Sequence, residues 1–224
     1  MRYRGVIFDL DGTLADTLAD IASSMNRVLL KNGYPAHSVP DYKYMIGRGL
    51  ENLVTSSLPA ENRSPSVIHS CLDALLEDYR RNCLVNTRLY EGIEDLLARL
   101  QKEGVKMGVF SNKADELTRT IVHSLLPRIK FEMILGARPD QPGKPDPAGA
   151  IRISQKMGIK PENIVFIGDS DVDMIMAVKA GMLAVGALWG FRTGRELRDN
   201  GASMLLKNPG QLLEFDGWEF NTRS

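Results

Sequence analysis

The stretch Arg4-Gly5-Val6-Ile7-Phe8-Asp9-Leu10-Asp11-Gly12-Thr13 joins a short apolar run to two closely spaced aspartates. The run lacks polar alternation, which is typical of a strand in a parallel sheet that is covered on both faces. Gly12 permits a turn directly after this run, and such a turn would bring Asp9 and Asp11 to one site. The stretch therefore predicts an acidic site at the end of a buried strand.

Alternating strands and helices follow in the second half of the chain. Apolar runs predict further buried strands at residues 106–110, 132–135, 164–167 and 183–188. Helical periodicity between the runs predicts helices at residues 93–102, 115–126, 148–157 and 172–179. This alternation predicts an α/β fold in which a parallel sheet carries helices on both faces and the crossovers are right-handed.

Residues 16–86 break this alternation. The spacing of Leu72, Leu75, Leu76 and Tyr79 is helical, and the segment contains no convincing buried strand. We therefore expect a core domain of residues 1–15 and 87–224, with a small all-helical domain of residues 16–86 inserted after the first strand.

The composition favours a small-molecule partner. The 224 residues include 28 Lys and Arg and 28 Asp and Glu, so no net charge favours nucleic acid or an anionic membrane. No apolar stretch reaches the length of a membrane span, and we expect a cytoplasmic protein. Cys71 and Cys83 have neither CxxC nor Cys/His spacing, so the sequence predicts neither a disulfide nor a zinc site.

Polar residues follow four of the predicted strands. After the Asp9–Asp11 pair of the first strand come Ser111-Asn112-Lys113, then Gly143-Lys144-Pro145, then Gly168-Asp169-Ser170-Asp171-Val172-Asp173. Ligands of open parallel sheets bind at the carboxyl ends of the strands, so these segments should converge on one crevice.

The residue types at this crevice indicate phosphoryl transfer. A carboxylate is a competent nucleophile, a role that we assign to Asp9, and Asp11 would be the acid and then the base. Lys144 supplies positive charge to the phosphoryl oxygens, while Ser111 and Asn112 supply hydrogen-bond donors. Several carboxylates beside a phosphate dianion need a cation, and an all-oxygen cluster suits Mg²⁺.

The four motifs, in this order, resemble those of the haloacid dehalogenase-like hydrolases, specifically phosphoglycolate phosphatase-type members with a helical cap. The closer likeness lies in residues 13–17, 46–50, 180–182 and 188–192. The resemblance implies a Rossmann-like core, a mobile cap and a small phosphorylated metabolite, with 2-phosphoglycolate as the best candidate. It also implies Mg²⁺ bound by the side chains of Asp9 and Asp169 and the carbonyl of Asp11, and a substrate-binding role for Thr13.

Two assignments remain open in the sequence. The triplet Gly47-Arg48-Gly49 is either a solvated turn or a substrate contact, in which Arg48 would suit a substrate carboxylate. Asp173 either orients Lys144 or metal-bound water from the second layer of the site, or is an acid at a helix N-terminus.

Other functions also fit parts of the pattern. A phosphomutase of the β-phosphoglucomutase type or a pyrophosphatase would use the same core motifs. A phospho-acceptor signalling module shares the acidic cluster, but it differs in motif order and lacks the long insert. A catalytically silent binding module would be expected to have lost some of the required residues, and none is missing.

Overall fold

The computed structural model describes residues 3–219. Its main sheet has six parallel strands in the order β5-β4-β1-β6-β7-β8. The strands are β1 (Gly5–Phe8), β4 (Lys106–Ala114), β5 (Met133–Ala137), β6 (Ile164–Gly168), β7 (Leu183–Ala187) and β8 (Met204–Leu206). A short antiparallel pair, β2 (Ala15–Asp16) and β3 (Arg88–Leu89), lies outside this sheet.

Helices cover both faces of the sheet. The helices that follow β3 are α4 (Ile93–Lys102), α5 (Asp115–Leu125), α6 (Ala148–Met157), α7 (Asp171–Lys179) and α8 (Gly194–Asp199). Successive β1 residues enter different cores, since Val6 and Phe8 belong to one buried cluster and Ile7 to the other. That alternation follows from the strand geometry and confirms the α/β prediction.

The predicted element bounds agree closely with the structure in the core. Helices α4 and α6 have the predicted limits, whereas β4 continues four residues further than expected, with an irregular register between Phe110 and Ala114. The sequence did not reveal α8 or β8. Both are short, with six and three residues, so neither contains enough periods to be recognised.

The segment between β2 and β3 is helical, as expected, and contains α1 (Leu18–Lys31), α2 (Leu50–Ser57) and α3 (Pro65–Asn82). We call this helical segment the insert. Helix α1 packs against α3, and α2 packs against α3 as well. The two-residue strands β2 and β3 were not predicted, and they join the two chain segments that connect the insert to the core. The domain boundaries themselves stay a prediction.

Asp20 holds these two connections together. Its carboxylate is buried in the first turn of α1 and accepts hydrogen bonds from backbone and side-chain donors of Asn86 and Thr87 at 2.8–2.9 Å. These bonds tie the start of the insert to the chain that leaves it. Within residues 3–219, no helix is long and apolar enough to cross a membrane.

Candidate active site

Asp9 lies at the end of the central strand, where the chain turns sharply. Its backbone N–H still donates to the Ile167 carbonyl of β6, at 2.9 Å, and its carboxylate accepts from the Leu10 N–H at 2.7 Å. The turn requires Gly12, which has φ +83°, and a Cβ there would lie 2.3 Å from Asp169 Oδ2. This close approach brings the end of β1 against the end of β6.

Three buried carboxylates, those of Asp9, Asp169 and Asp173, meet at this point, with ligand atoms within 4.8 Å of one another. The Nζ of Lys144 lies 2.7 Å from both Asp9 Oδ1 and Asp173 Oδ1. One lysine therefore faces three acids, and the cluster is suited to an additional cation.

The pKa values reflect this excess of negative charge. Burial, together with the Asp173 carboxylate, raises the pKa of Asp9 well above its usual range. The same causes raise the pKa of Asp169 to about 7. Burial alone would lower the pKa of Lys144, but Asp173 and Asp9 outweigh it and raise that pKa, so the lysine stays charged.

The buried acidic group fits a metal site. Its donors are all carboxylate oxygens, which favour a hard divalent cation. Asp169 is oriented by two hydrogen bonds, from Thr13 Oγ1 at 3.1 Å and from the Phe191 N–H at 2.8 Å. Asp173 is otherwise engaged, since its Oδ2 accepts from Ser170 Oγ at 2.5 Å and its Oδ1 from Lys144. Those contacts are consistent with the predicted role of Asp173 in orienting Lys144.

Asp11 is not part of this acidic cluster. Its Oδ1 accepts from Thr17 Oγ1 at 2.6 Å and lies 2.9 Å from Lys113 Nζ. The Nζ of Lys113 also donates to the hydroxyl of Tyr79, on α3, at 2.9 Å. The side chain of Asp11 is thus held by Lys113 and Thr17, and the assignment of its carbonyl as a metal ligand stays a prediction.

Ser111 and Asn112 lie on the irregular end of β4, and both are buried. Asn112 accepts from the Lys144 N–H at 2.8 Å and donates to the Lys144 carbonyl at 2.9 Å. It also donates to the carbonyl of Gly47 in the insert, at 2.9 Å. Ser111 Oγ accepts from the backbone N–H of Lys113 at 3.2 Å. Ser111 and Asn112 therefore hold the backbone of Lys113 and of Lys144 in position.

A cavity lies over Asp9, between the sheet edge and the insert. The sheet edge contributes polar residues, which are Asp9, Asp11, Ser111, Asn112, Lys113 and Lys144. The insert contributes apolar residues and glycines, which are Ile21, Ile46, Gly47, Gly49, Leu50 and Leu53. Five of the seven predicted substrate-binding residues therefore line the cavity, namely Gly47, Gly49, Ser111, Asn112 and Lys144. Thr13 does not line it and instead donates to Asp169.

Arg48 does not line this cavity. Its guanidinium pairs with Asp171 at the start of α7, and 54% of the side chain is exposed. Arg48 instead borders a neighbouring cleft that also includes Arg138. The structure thus places this arginine at the seam between insert and core, and its contact with a substrate remains a prediction.

Arg192 makes a second contact across this seam. From the loop after β7, it donates to the carbonyls of Lys43 and Ile46 in the insert, the latter at 3.0 Å. Its guanidinium also lies over the ring of Tyr44, at 4.9 Å from the centroid. Because Ile46 lines the cavity, Arg192 holds one wall of it in place.

Sequence reasoning assigned no individual role to three residues of the site, namely Tyr79, Lys113 and Arg192. Lys113 had a detectable signal, because it belongs to the polar triplet after the second predicted strand. Tyr79 has the helical spacing of an ordinary core residue, which conceals its hydroxyl contact. The carbonyl partners of Arg192 lie almost 150 positions away, and no local pattern indicates them.

Comparison with known proteins places this geometry in a family. Residues 6–187 match the haloacid dehalogenase-like hydrolases. A phosphoglycolate phosphatase of Pseudomonas putida is 30% identical over 213 residues, covering 94% of this chain and 78% of the relative. A phosphoglycolate phosphatase of Aquifex aeolicus is 31% identical over 188 residues, with 84% and 86% covered.

A solved structure agrees with these relatives. A candidate phosphoglycolate phosphatase from Lactobacillus delbrueckii subsp. bulgaricus superposes with a TM-score of 0.89 at 29% identity, covering 96% of this chain and 98% of the other. With the buried aspartates, lysine and cavity described above, these matches show that the chain belongs to the haloacid dehalogenase-like hydrolase family.

Proposed function

We propose that this protein is a Mg²⁺-dependent phosphatase that hydrolyses a small phosphomonoester through a phosphorylated Asp9. The observation that carries the proposal is the position of Asp9. Its buried carboxylate belongs to the acidic cluster, pairs with Lys144 and lines the polar side of the cavity. The phosphatase names of the relatives support the same reaction class.

Five of the six polar residues that line the cavity have a role in this reaction. Lys144 binds the phosphoryl oxygens, and the hydroxyl of Ser111 holds and orients them. Asn112 uses both of its amide donors on the carbonyls of Lys144 and Gly47, so its role is to position Lys144. Asp9 and Asp169, with the carbonyl of Asp11, would bind Mg²⁺, which supplies charge neutralisation for the carboxylates and the phosphoryl group. Asp173 keeps the ammonium of Lys144 directed toward Asp9.

The reaction then proceeds in two displacements at phosphorus. An oxygen of Asp9 forms a bond to phosphorus while the bond from phosphorus to the alcohol oxygen breaks, and protonated Asp11 gives its proton to that oxygen. Water then attacks the aspartyl phosphate and loses a proton to Asp11. The bond between phosphorus and Asp9 breaks, which releases inorganic phosphate and restores both aspartates.

The insert covers the reacting atoms on the side opposite the sheet. We assign residues 16–86 to this cap domain, and residues 1–15 and 87–224 to the core. The apolar side chains of Ile21, Ile46 and Leu53 line the cavity from the insert and would exclude bulk water during transfer of the phosphoryl group.

Among small phosphate esters, 2-phosphoglycolate is the leading candidate for the substrate, because two relatives named phosphoglycolate phosphatase match most of the chain.

Phosphate release tests the proposal. Purified protein with Mg²⁺ is assayed against 2-phosphoglycolate, sugar phosphates, nucleotides, pyrophosphate and an aryl phosphate. We expect release from at least one monoester, with 2-phosphoglycolate preferred. A preference for pyrophosphate would change the class, and a folded protein that releases phosphate from no ester would redirect attention to a phosphomutase or a binding module.

Asp9→Asn provides the test of the nucleophile. The substitution is nearly isosteric, so we expect the fold and Tm to survive while turnover falls by at least about 10⁴-fold. The exposed Asp95, on α4, offers a matched control, and Asp95→Asn should retain wild-type turnover. Substantial activity in Asp9→Asn would contradict the proposed nucleophile.

A further inference from the structure

The cavity contains two cationic side chains, Lys144 and Lys113, among the residues that line it. Lys144 is committed to the phosphoryl side by its contacts with Asp9 and Asp173. The insert lines the cavity only with apolar side chains and glycine, so it offers no charge to the alcohol part of a substrate. If that part carries an anion, Lys113 is the lining residue that can pair with it.

The contacts of Lys113 leave one N–H donor of its ammonium group available for a substrate anion. The residue is 3% exposed, and its Nζ has two oxygen partners, Asp11 Oδ1 and the Tyr79 hydroxyl, each at 2.9 Å. An ammonium group has three N–H donors, so one donor remains beyond these two oxygens. The Tyr79 ring, 4.6 Å from Nζ, fixes the ammonium from the insert side.

The position of Lys113 relative to Asp11 determines which anion fits. In the proposed function, on which this inference rests, Asp11 gives its proton to the leaving alcohol oxygen, which must lie within hydrogen-bond distance of that carboxyl group. Because Nζ is 2.9 Å from Asp11 Oδ1, it lies beside the same alcohol oxygen. An anion attached to the carbon that carries this oxygen would come within reach of Nζ.

We propose that Lys113 is the specificity residue of this site and binds a carboxylate that is bonded directly to the ester-bearing carbon of the substrate. 2-Phosphoglycolate has this arrangement, because a single CH₂ group separates its ester oxygen from its carboxylate. The ammonium of Lys113 then bridges Asp11 and the substrate carboxylate, while Lys144 binds the phosphoryl group. Each of the two buried lysines thereby binds one charged end of the substrate.

A pair of substrates that differ only in this carboxylate tests the proposal. 2-Phosphoglycolate is compared with 2-hydroxyethyl phosphate, in which CH₂OH replaces the carboxylate, using wild type and Lys113→Met. Lys106, on the same strand but bonded to the Met157 carbonyl, gives the control Lys106→Met. We expect Lys113→Met to lower kcat/KM for 2-phosphoglycolate about 10- to 100-fold more than for 2-hydroxyethyl phosphate, mainly through KM. Lys106→Met should leave both values unchanged.

The two substrates also separate recognition from a purely structural role. If Lys113 only orients Asp11, the variant loses kcat equally with both substrates, and that result would overturn the proposal. Should Lys113→Met fail to fold, Lys113→Gln keeps a polar group near Asp11 and Tyr79 and carries the same comparison. Wild-type protein that hydrolyses neither these esters nor any other monoester would overturn the proposed function itself, and this inference with it.

Discussion

The buried aspartates of the site differ in how their negative charge is compensated. Asp9 shares the single ammonium of Lys144 with Asp173, while Asp169 has a hydroxyl and a backbone N–H but no cation within ion-pair distance among the described residues. Burying a carboxylate without a compensating charge costs several kcal/mol. The metal-free site is therefore a local source of instability in the folded protein.

Asp169→Asn should stabilise the metal-free protein at neutral pH. Asp169 has a pKa of about 7 in the folded state and about 3.9 when unfolded, so the folded state binds its proton more tightly. The stability that this proton contributes is fully present below about pH 4 and is lost as the pH rises through about 7. Wild type should thus lose stability relative to Asp169→Asn over this range, by on the order of a few kcal/mol.

Thermal unfolding in excess chelator between pH 4.5 and pH 8 checks this prediction, with Asp95→Asn as the control for an exposed carboxylate. We expect the difference in Tm to move in favour of Asp169→Asn as the pH rises, and to stay constant for the control. A difference that is independent of pH would mean that Asp169 has an ordinary pKa in the folded protein.

At the scale of the elements, two contacts connect the insert to the core without taking part in chemistry. Asp20 clasps the two connecting segments, and Arg192 holds the segment that contains Ile46. Both depend on partners that are distant in sequence, which is why residue patterns revealed the helices of the insert but not its attachment. The polar residues at the ends of the strands were easier to predict than these contacts, because polar residues directly after an apolar run are a local signal.

Asp20→Ala should destabilise the protein by about 2–4 kcal/mol, because it leaves the buried donors of Thr87, and the partly buried donors of Asn86, without their acceptor. Chemical denaturation measures the change in the free energy of unfolding. Asp73, an exposed residue of α3, provides a matched control, and Asp73→Ala should change stability by less than about 0.5 kcal/mol. A loss of unfolding free energy in Asp20→Ala as small as that of the control would show that Asp20 does not hold the two connecting segments together.

Arg192→Lys should lower kcat/KM about tenfold while leaving most of the stability intact. A lysine cannot donate to the carbonyls of Lys43 and Ile46 from two fixed positions, so the wall of the cavity near Ile46 is held less firmly. Steady-state kinetics with the best monoester, alongside Tm, measures both effects. Unchanged kinetics would show that the cavity wall is held by other contacts, such as that of Asn112 with Gly47.

At the scale of the whole molecule, the metal should link activity to stability. We expect chelation to abolish turnover and added Mg²⁺ to restore it, because the acidic cluster needs a cation before it can hold a phosphate dianion. Mg²⁺ at about 100 times its Kd should also stabilise the wild-type fold by about 2.7 kcal/mol. Calorimetry with and without Mg²⁺ tests this, and a Tm that does not respond would argue against a metal at this cluster.

The sequence predicted the architecture more completely than the interior of the site. Long buried strands and amphipathic helices follow from local periodicity, so the sequence predicts the α/β core and the helical insert. The same applies to Asp9, Asp169 and Lys144, which follow strands of one parallel sheet. The contact of Lys113 with Tyr79 and the contacts of Arg192 form only when the insert lies over the sheet edge, and no local pattern encodes that approach.

The central position of β1 also affects how the chain can be made. This strand pairs with β4 on one side and β6 on the other, yet it precedes both in the chain. During translation, β6 begins 156 residues after β1 ends, on the order of 8–30 s at typical elongation rates. Throughout that interval Val6 and Ile7, which are fully buried in the folded protein, lack one of their two neighbouring strands, so the nascent chain cannot complete the burial of its central strand until most of the chain has been made.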